Sequence, residues 1–449
     1  LRAWINDTGT DASTILNAAV FTTQDPEAII PKLRSAVQEA AMPLVSQLVR
    51  CGDEGDPCSS ECADEARYTE LHGLISLPLF QRGTPPYEEA GGEIEVDGAG
   101  VPQIAGAAEV CFALSIPDGD PPAAGFPLVI YVHGTGGGFD SVISRGIARD
   151  LANGRVDGKP VRAAALGFDL PQHGTRRGGS DRSPDELFFN FSNPRAARDN
   201  IAQGSADLMA VVRWAKNYLL PAGKPPLGRT ISFDADNIAL FSHSQGSLHA
   251  VLMLPYEPDL SAAVLSGNGA YLTESLLNKS KPFDIAGALP YALADANSEG
   301  KLDGGVFHPV LAIFQTFFER VDGVNFAYRL HDKPTEDVPS GHHVFMPYGR
   351  FDEYSPESAQ KAYADAADLT VVGDDPAELR LTRVEAPLSE NIQLDGVART
   401  IGLRQYIPAT GEDGHFVAFD SDKGRPDVIR FLLQALSGHS PQIGQQIGQ

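Results

Sequence analysis

The sequence predicts an α/β protein with a mostly parallel central sheet, flanking helices and an inserted helical segment. From residue 126 onward, short apolar runs alternate with longer helix-compatible stretches, which is typical of strand–helix–strand units. The runs are apolar throughout rather than alternating, as expected for strands buried on both faces. One run, residues 238–241, leads through a small polar turn directly into a helical stretch that begins at Gln245.

The N-terminal part of the chain predicts an antiparallel start to this sheet. Residues 26–49 carry apolar side chains at helical spacing and predict one long helix. Residues 70–78 and 110–117 predict two strands. A Gly- and Pro-rich connection joins them, with a further short strand near residues 92–96.

Strands and helices then alternate to the end of the sheet. The predicted strands are 127–132, 161–167, 238–241, 262–267, a strand within 342–352, and 401–407, and the predicted helices are 194–220, 245–254, 356–369 and 426–436. Elements in this order form right-handed βαβ crossovers. The chain divides into an N-terminal helix and Cys-rich loop (1–69), a first core part (70–271), a lid insertion (272–330), a second core part (331–437) and a disordered tail (438–449).

The insertion carries an aromatic stripe. Phe314, Phe317, Phe318 and Val321 recur at i, i+3, i+4 and i+7, so they share one face of a predicted helix. An ordinary core helix explains such a stripe. An insertion at the carboxyl edge of an open α/β sheet, however, overlies the site of such a fold. A lid or a wall over that site is therefore the second interpretation.

Charge and hydropathy exclude two classes of partner. The 449 residues carry a formal net charge of −24, which repels nucleic acid and anionic membrane surfaces. No run of about 18 or more apolar residues is present, so no membrane-spanning helix is expected. The first residue is Leu1 rather than methionine, which suggests a processed N-terminus.

Four cysteines favour an exported protein. Cys51, Cys58 and Cys62 lie in a loop rich in Asp, Glu, Gly and Pro, and Cys111 lies in a predicted strand. An even number of cysteines in such a setting favours two disulfides, for which three pairings are possible. A zinc site or free thiols are the alternatives, although the spacing matches no common zinc pattern. We therefore expect a secreted or cell-surface protein of bacterial-type export.

The turn after residues 238–241 has the form of a nucleophile elbow. Its sequence, S-H-S-Q-G from Ser242 to Gly246, is close to G-x-S-x-G, with Ser242 in place of the first glycine. Small neighbours let the chain turn sharply, which exposes the hydroxyl of Ser244 above the sheet at a helix N-terminus. A solvated strand-to-helix turn without chemistry is the alternative interpretation.

A candidate acid and a candidate base follow Ser244 along the chain. Asp352 comes just after a predicted strand, and His415 lies in a Gly-rich loop before the last helix. Ser, Asp, His is the chain order of a doubly wound hydrolase sheet, in which Asp orients His and His activates Ser. Glu353 is the substitute acid. The nearer histidines are interpreted as loop-organising residues: His133, His173, His243 and His249.

Two backbone N–H groups are candidates for an oxyanion hole. The first is that of Gln245, which follows the nucleophile. The second is that of Thr135 in the glycine-rich loop after residues 127–132, with Gly136 as the alternative.

These motifs together resemble the α/β-hydrolase superfamily. They are His133-Gly-Thr-Gly-Gly, Asp169-x-Pro-x-His-Gly, the Ser244 elbow, Gly349-x-x-Asp352 and Gly414-His415. Residues 189–208 and 308–328 are similar, more narrowly, to exported bacterial lipases of the virulence-factor lipase (Pla/cef-like) group. The resemblance implies carboxylic-ester hydrolysis by Ser244, Asp352 and His415.

We therefore expect a serine carboxylic-ester hydrolase, a lipase or esterase, that forms an acyl-enzyme on a small or polymeric ester and needs no cofactor. A polymer depolymerase with the same triad is one alternative. A catalytically silent binding protein of the same fold is another, and Ser242 is the feature that favours it. Residues 295–300 begin like a calcium loop, but Val306 stands where the bidentate acid belongs, which excludes an EF-hand.

Overall fold

Twelve strands of the described residues form one sheet. The computed structural model describes residues 2–15, 23–63 and 67–444. The strands are β1 Val45–Arg50, β2 Tyr68–Leu79, β3 Gly106–Pro117, β4 Phe126–Val132, β5 Ala164–Phe168, β6 Leu219–Leu220, β7 Ile231–His243, β8 Ala262–Ser266, β9 His343–Gly349, β10 Thr370–Val372, β11 Arg383–Val384 and β12 Ile401–Tyr406. Two separate hairpins pair Arg155–Val156 with Lys159–Pro160 and Ile392–Leu394 with Val397–Arg399.

The order of the strands places four loops at one edge. Across the sheet the order is β1-β2-β3-β5-β4-β7-β8-β9-β12-β10-β11, with β6 beside β7. The first three strands and β5 pair antiparallel, and every later neighbour along this path is parallel. The carboxyl ends of β4, β7, β9 and β12 therefore meet at the same edge. This arrangement is the α/β-hydrolase fold, as the sequence predicts.

Helices cover both faces of the sheet. They are α1 Arg2–Thr8, α2 Ile30–Glu39, α3 Ser141–Ser144, α4 Ile147–Asn153, α5 Pro184–Phe188, α6 Pro194–Asn217, α7 Gln245–Met253, α8 Leu272–Asn278, α9 Ile285–Ala292, α10 Pro309–Phe318, α11 Glu357–Ala366, α12 Val417–Asp420 and α13 Gly424–Ala435. Leu128 and Ile130 of β4 pack with α6 and α7, whereas Val129 and Tyr131 pack with α4 and α13. Alternate side chains thus enter two cores, which explains the continuously apolar strands. Among the described helices, none combines the length and apolarity that a membrane span requires.

The insertion lies between β8 and β9 and contains α8, α9 and α10. A small core of its own is formed by Leu276, Leu302 and Leu311. The carboxylate of Asp322 holds the start of α8, because it accepts hydrogen bonds of 2.8 Å from the backbone N–H groups of Tyr271 and Leu272. Nε2 of Gln315 on α10 donates to the same carboxylate, also at 2.8 Å. One buried carboxylate therefore joins two helices of the insertion to each other.

The prediction of one helix over residues 26–49 is wrong in its second half. α2 ends at Glu39, and the chain continues into the edge strand β1. Pro43 prevents a longer helix because it lacks an N–H donor and disfavours helical geometry in the residue before it. Arg213 of α6 satisfies carbonyls at the end of α2, donating from Nη1 over 2.8 Å to two of them.

Two further expectations need correction. Residues 92–96 form isolated bridges to other segments rather than a strand. The predicted disordered tail is ordered as far as residue 444, because Ile443 is fully buried and exchanges two backbone hydrogen bonds of 3.0 Å with Leu388. Burial of one isoleucine fixes a segment whose Gln- and Gly-rich composition suggested disorder. Residues 445–449 lie outside the described residues.

Both expected disulfides are present. Cys51 pairs with Cys62 over a sequence separation of 11, and Cys58 pairs with Cys111 over a separation of 53. The first bridge closes the acidic loop on itself, and the second joins that loop to β3. No cysteine of the described residues remains free, which removes the zinc and free-thiol alternatives.

His72 of β2 holds the same loop from beneath. Its Nδ1 lies 2.7 Å from Oδ2 of Asp56 in the loop, and its Nε2 lies 3.0 Å from Oε1 of Glu70. Burial by itself lowers the pKa of His72, but the hydrogen bonds to Glu70 and Asp56 outweigh burial and raise it. A protonated ring donates to both carboxylates at once, so the charged form stabilises the loop.

Removing the longer disulfide should cost more stability than removing the shorter one. A disulfide stabilises the folded state by restricting the unfolded chain. This effect amounts to about 4 kcal/mol for Cys58–Cys111, with its separation of 53, and to about 3 kcal/mol for Cys51–Cys62, with its separation of 11. Urea denaturation should therefore show that Cys58→Ala/Cys111→Ala loses about 1 kcal/mol more than Cys51→Ala/Cys62→Ala. Equal losses in the two double variants would contradict the dependence on loop length.

The His72 bridge should make stability depend on pH. Because the folded pKa is raised above the unfolded value of about 6.5, its contribution is complete below about pH 6.5 and is lost as pH rises through the folded pKa. The free energy of unfolding in urea should therefore fall more on His72→Gln at about pH 6 than at about pH 9. The same loss at both pH values would show that the ring bridges the carboxylates in its neutral form.

Candidate active site

Ser244 occupies a strained turn between β7 and α7. Its φ of 55° and ψ of −120° are rare for a residue that carries a side chain. Gly246 makes the turn possible, because a Cβ at that position would lie 2.3 Å from the carbonyl oxygen of Val132. The hydroxyl of Ser244 therefore stands at the N-terminus of α7, where backbone N–H groups have no helical acceptor.

Ser242 fits the elbow without disturbing it. Its side chain is fully buried, donates to the carbonyl oxygen of Val264 at 2.9 Å and lies 3.0 Å from Oγ of Ser247. The extra hydroxyl thus ties β7 to β8 and α7. Since it is enclosed by these contacts, Ser242 is not a rival nucleophile in this structure.

His415 and Asp352 lie side by side, although 63 residues separate them. Nδ1 of His415 is 2.9 Å from Oδ2 of Asp352, and both side chains are buried. Asp352 also accepts hydrogen bonds from the backbone N–H groups of Tyr354 and Ser355, at 2.9 and 2.7 Å, which fix its orientation. With Asp352 on Nδ1, Nε2 is the ring nitrogen left to accept a proton.

The ring of His415 is held between two aromatic neighbours in the cavity that Ser244 also lines. The ring centroid of Tyr354 lies 4.7 Å from it and that of His243 lies 4.6 Å from it. Among the described residues, no hydrogen bond joins Ser244 Oγ to His415. In unliganded enzymes this bond is often long and shortens when substrate binds.

The competing residues have other contacts. Glu353 is half exposed and forms an ion pair with Lys281. His133, His173 and His249 hydrogen-bond to backbone carbonyls of loops and helices. Burial, and then the neighbouring His415 and Arg145, lower the pKa of His243 well below its usual range, so this ring is neutral.

Two backbone N–H groups beside Ser244 were predicted as oxyanion donors. That of Gln245 is at the first position of α7 and lacks a helical acceptor. The N–H of Gly136 donates to Nε2 of His173 at 3.1 Å, which excludes the alternative donor. Thr135 N–H has no acceptor within the described part of the chain. Oγ1 of Thr135 donates to Oε1 of Gln245 at 2.8 Å, which joins the two donor segments.

Two cavities meet at Ser244. The smaller, about 130 Å³, is mainly apolar. Its aliphatic and aromatic walls come from α6, α7, α8 and the end of the insertion, and include Ile201, Leu248, Leu272, Leu276, Phe314, Phe318 and Val321. The larger, about 720 Å³, contains His415 and several charged side chains. Ser244 and Thr135 line both cavities.

The residues of the predicted aromatic stripe do not all face the same cavity. Phe314, Phe318 and Val321 line the smaller cavity. Phe317 lies outside it, with the guanidinium of Arg198 at 4.5 Å from its ring centroid. The reason is helical geometry. Around the axis of α10, Phe317 lies about 60° to one side of Phe314, whereas Phe318 lies about 40° to the other side.

Sequence reasoning missed Lys279, which lines both cavities. Nζ donates to the carbonyl oxygen of Tyr354 at 2.7 Å. Burial lowers the pKa of Lys279 to about 8, while the carboxylates of Asp352 and Asp185 oppose the change. No sequence signal identified it, because lysines beside Asn and Ser are typical of a surface turn.

No protein-family model and no curated protein matches this chain. Among solved structures it is similar to an acetyl xylan esterase from a Paenibacillus species, with 12% identity, a TM-score of 0.49, and coverage of 92% of this chain and 96% of that one. It is also similar to acetyl xylan esterase 1 from a Thermoanaerobacterium species, with 11% identity, a TM-score of 0.47, and coverage of 92% of this chain and 94% of that one. A third similar structure is a peroxisomal alpha-beta-hydrolase from Saccharomyces cerevisiae, with 12% identity, a TM-score of 0.43, and coverage of 86% of this chain and 93% of that one. At these values the similarity indicates nothing about the substrate of this chain.

Proposed function

We propose that this chain is a serine carboxylic-ester hydrolase that works through an acyl-enzyme. The observation that carries the proposal is the hydrogen bond of His415 Nδ1 to Asp352 Oδ2, in the cavity that Ser244 also lines. A silent protein of the same fold has no need of a strained serine, a paired histidine and two free N–H groups at one edge.

The reaction uses residues of this chain alone. Ser244 Oγ attacks the ester carbonyl carbon while Nε2 of His415 takes the hydroxyl proton. The carbonyl oxygen becomes an oxyanion, which accepts hydrogen bonds from the N–H groups of Gln245 and Thr135. His415 then passes its proton to the leaving alkoxide, and water releases the acyl group in a second round that uses the same base. Asp352 keeps the ring in the required tautomer.

The smaller cavity supports an apolar acyl group. Its walls include Phe314 and Phe318 of the insertion, so we assign the insertion at 272–330 a role in binding the acyl chain. Burial of each methylene is worth about 0.8 kcal/mol. The other wall, with Phe189, Phe191 and Ile201, belongs to the segment that resembles exported bacterial lipases. That coincidence supports a lipase-like or esterase-like substrate.

We also propose that the protein works outside the cytoplasm. The disulfides Cys51–Cys62 and Cys58–Cys111 form and persist in oxidising compartments. The cavity of about 720 Å³ beside Ser244 favours a polymeric ester as a second candidate substrate, since it leaves room for a large alcohol part.

The roles of Ser244 and Asp352 are tested by substitution, with the same kind of substitution at a neighbouring residue as the control. Ser244→Ala and Asp352→Asn should each lower kcat/KM for p-nitrophenyl butyrate by at least about a thousandfold, because each removes a member of the triad. The controls Ser242→Ala and Glu353→Gln remove the adjacent hydroxyl and carboxylate and should keep most of the activity. A fluorophosphonate should label the wild type and not Ser244→Ala. Activity that survives Ser244→Ala but is lost in Ser242→Ala would overturn the assignment.

The acyl cavity is tested with esters of increasing chain length. For the wild type, kcat/KM should rise from p-nitrophenyl acetate to hexanoate by up to about fourfold per methylene. Phe318→Ala should flatten this rise, because the ring lines the cavity. Phe317→Ala is the matched control, one residue away and outside the cavity, and should preserve the slope. The assignment fails if both variants fold and both keep the slope, or if both lose it.

A further inference from the structure

Lys279, the C-cap residue of α8, lies where the two cavities meet. Its Nζ donates to the carbonyl oxygen of Tyr354 and lies 6.0 Å from the ring centroid of Phe189 and 5.9 Å from that of Tyr354. The ammonium group has three N–H donors. One is used by the protein, and the aromatic neighbours replace much of the water that would otherwise solvate the charge.

No carboxylate of the described residues forms an ion pair with Lys279. A partly buried cation without a partner carries a cost of desolvation. The chain has 59 acidic and 35 basic residues, so carboxylates to neutralise such a cation are plentiful. An unpaired ammonium group in the same cavity as the nucleophile therefore indicates that a ligand supplies the opposite charge.

A second unpaired cation faces the larger cavity. The guanidinium of Arg145 stacks on Phe416 and Phe419, 5.4 Å from each ring centroid, and makes no ion pair within residues 67–444. Stacking holds the planar group in place while its N–H edge stays free to donate.

The other charged side chains of the larger cavity do not neutralise Lys279 and Arg145. Arg182 forms an ion pair with Glu88, and Glu186 is engaged by Ser183 in a helix cap. Asp185 is the remaining carboxylate of that lining and faces Lys279 without an ion pair. Within this lining, two cations without an ion pair thus stand against one such carboxylate. Asp352, outside the lining, also acts on Lys279 by its charge, but its oxygens are already engaged by His415 and by the N–H groups of Tyr354 and Ser355. The smaller cavity differs, because its one carboxylate, Asp322, is fully engaged in hydrogen bonds.

We infer that the substrate is an ester whose alcohol part carries a carboxylate, and that Lys279, assisted by Arg145, binds this carboxylate in the larger cavity. The inference rests on the proposed function, which assigns the acyl group to the apolar cavity and the alcohol to the other. Esters of hydroxy acids have this chemistry. The ion pair selects them against neutral esters of the same shape, in a protein whose net charge of −24 otherwise repels anions.

The test compares two esters that differ by one charge. 3-Butyryloxybenzoic acid and 3-butyryloxybenzamide share the acyl group and the ring, and the charge preference is the ratio of their kcat/KM values. We expect the wild type to prefer the acid. Lys279→Met, which keeps the length of the side chain, should lower the ratio about tenfold, and Lys279→Glu should lower it further. The control Lys361→Met removes an exposed lysine of α11 that pairs with Asp365, and should leave the ratio unchanged.

Inhibition of the wild type gives an independent measurement if a Lys279 variant does not fold. Benzoate should inhibit hydrolysis of p-nitrophenyl butyrate at lower concentration than benzamide, and added salt should weaken benzoate selectively.

The possible failures are distinguishable. Equal ratios in the wild type and in folded Lys279 variants, or equal inhibition by benzoate and benzamide, would overturn the inference and leave the esterase in place. If the wild type hydrolyses none of the three esters and does not react with a fluorophosphonate, the proposed function itself fails.

Discussion

The close approach of α7 to the end of β4 is the constraint on which the site depends. Only a glycine at position 246 lets the backbone pass so near to the carbonyl oxygen of Val132. The resulting geometry of Ser244 costs on the order of 1–3 kcal/mol, and it persists because the surroundings determine it. β7 pairs in parallel with strands on both sides, and the N–H of Ser244 donates to the carbonyl oxygen of Ser266 at 2.8 Å. The packed sheet therefore maintains the strained serine.

Several buried histidines other than His415 have lowered pKa values. Burial is the main cause that lowers the pKa of His173 to about 4 and of His249 to about 3, and His243 is shifted in the same direction. A charged His243 at 4.6 Å would oppose a positive charge on His415. In the proposed reaction, the neutral His243 therefore does not oppose the positive charge that His415 carries during each half, and Asp352 supplies the compensating charge.

The sequence predicted most of the fold, because its strands are buried on both faces and its elbow is a local pattern. Chain order and positions after strands predicted Ser244, Asp352 and His415 as one site, and the structure places Asp352 beside His415 in a cavity that Ser244 also lines. The errors have two different causes. Pro43 prevents a longer α2, a local signal that the apolar spacing alone did not include, whereas the ordered tail depends on burial of Ile443, a long-range contact. Lys279 could not be predicted, because its importance comes from two cavities that no local pattern describes.

Catalysis and selectivity come from different parts of the chain in the proposed enzyme. Loops after β4, β7, β9 and β12 supply the nucleophile, base, acid and oxyanion donors. The insertion supplies both Lys279 and the aromatic wall at Phe314 and Phe318, and Asp322 connects α8 and α10 through shared hydrogen bonds. The cation and the apolar wall are therefore parts of one anchored unit. The insertion also contacts the loop that carries Asp352, because Lys279 donates to the carbonyl oxygen of Tyr354 and the N–H groups of Ser280 and Lys281 donate to that of Glu353. A change in the insertion would therefore act on this loop as well as on the ester that is accepted.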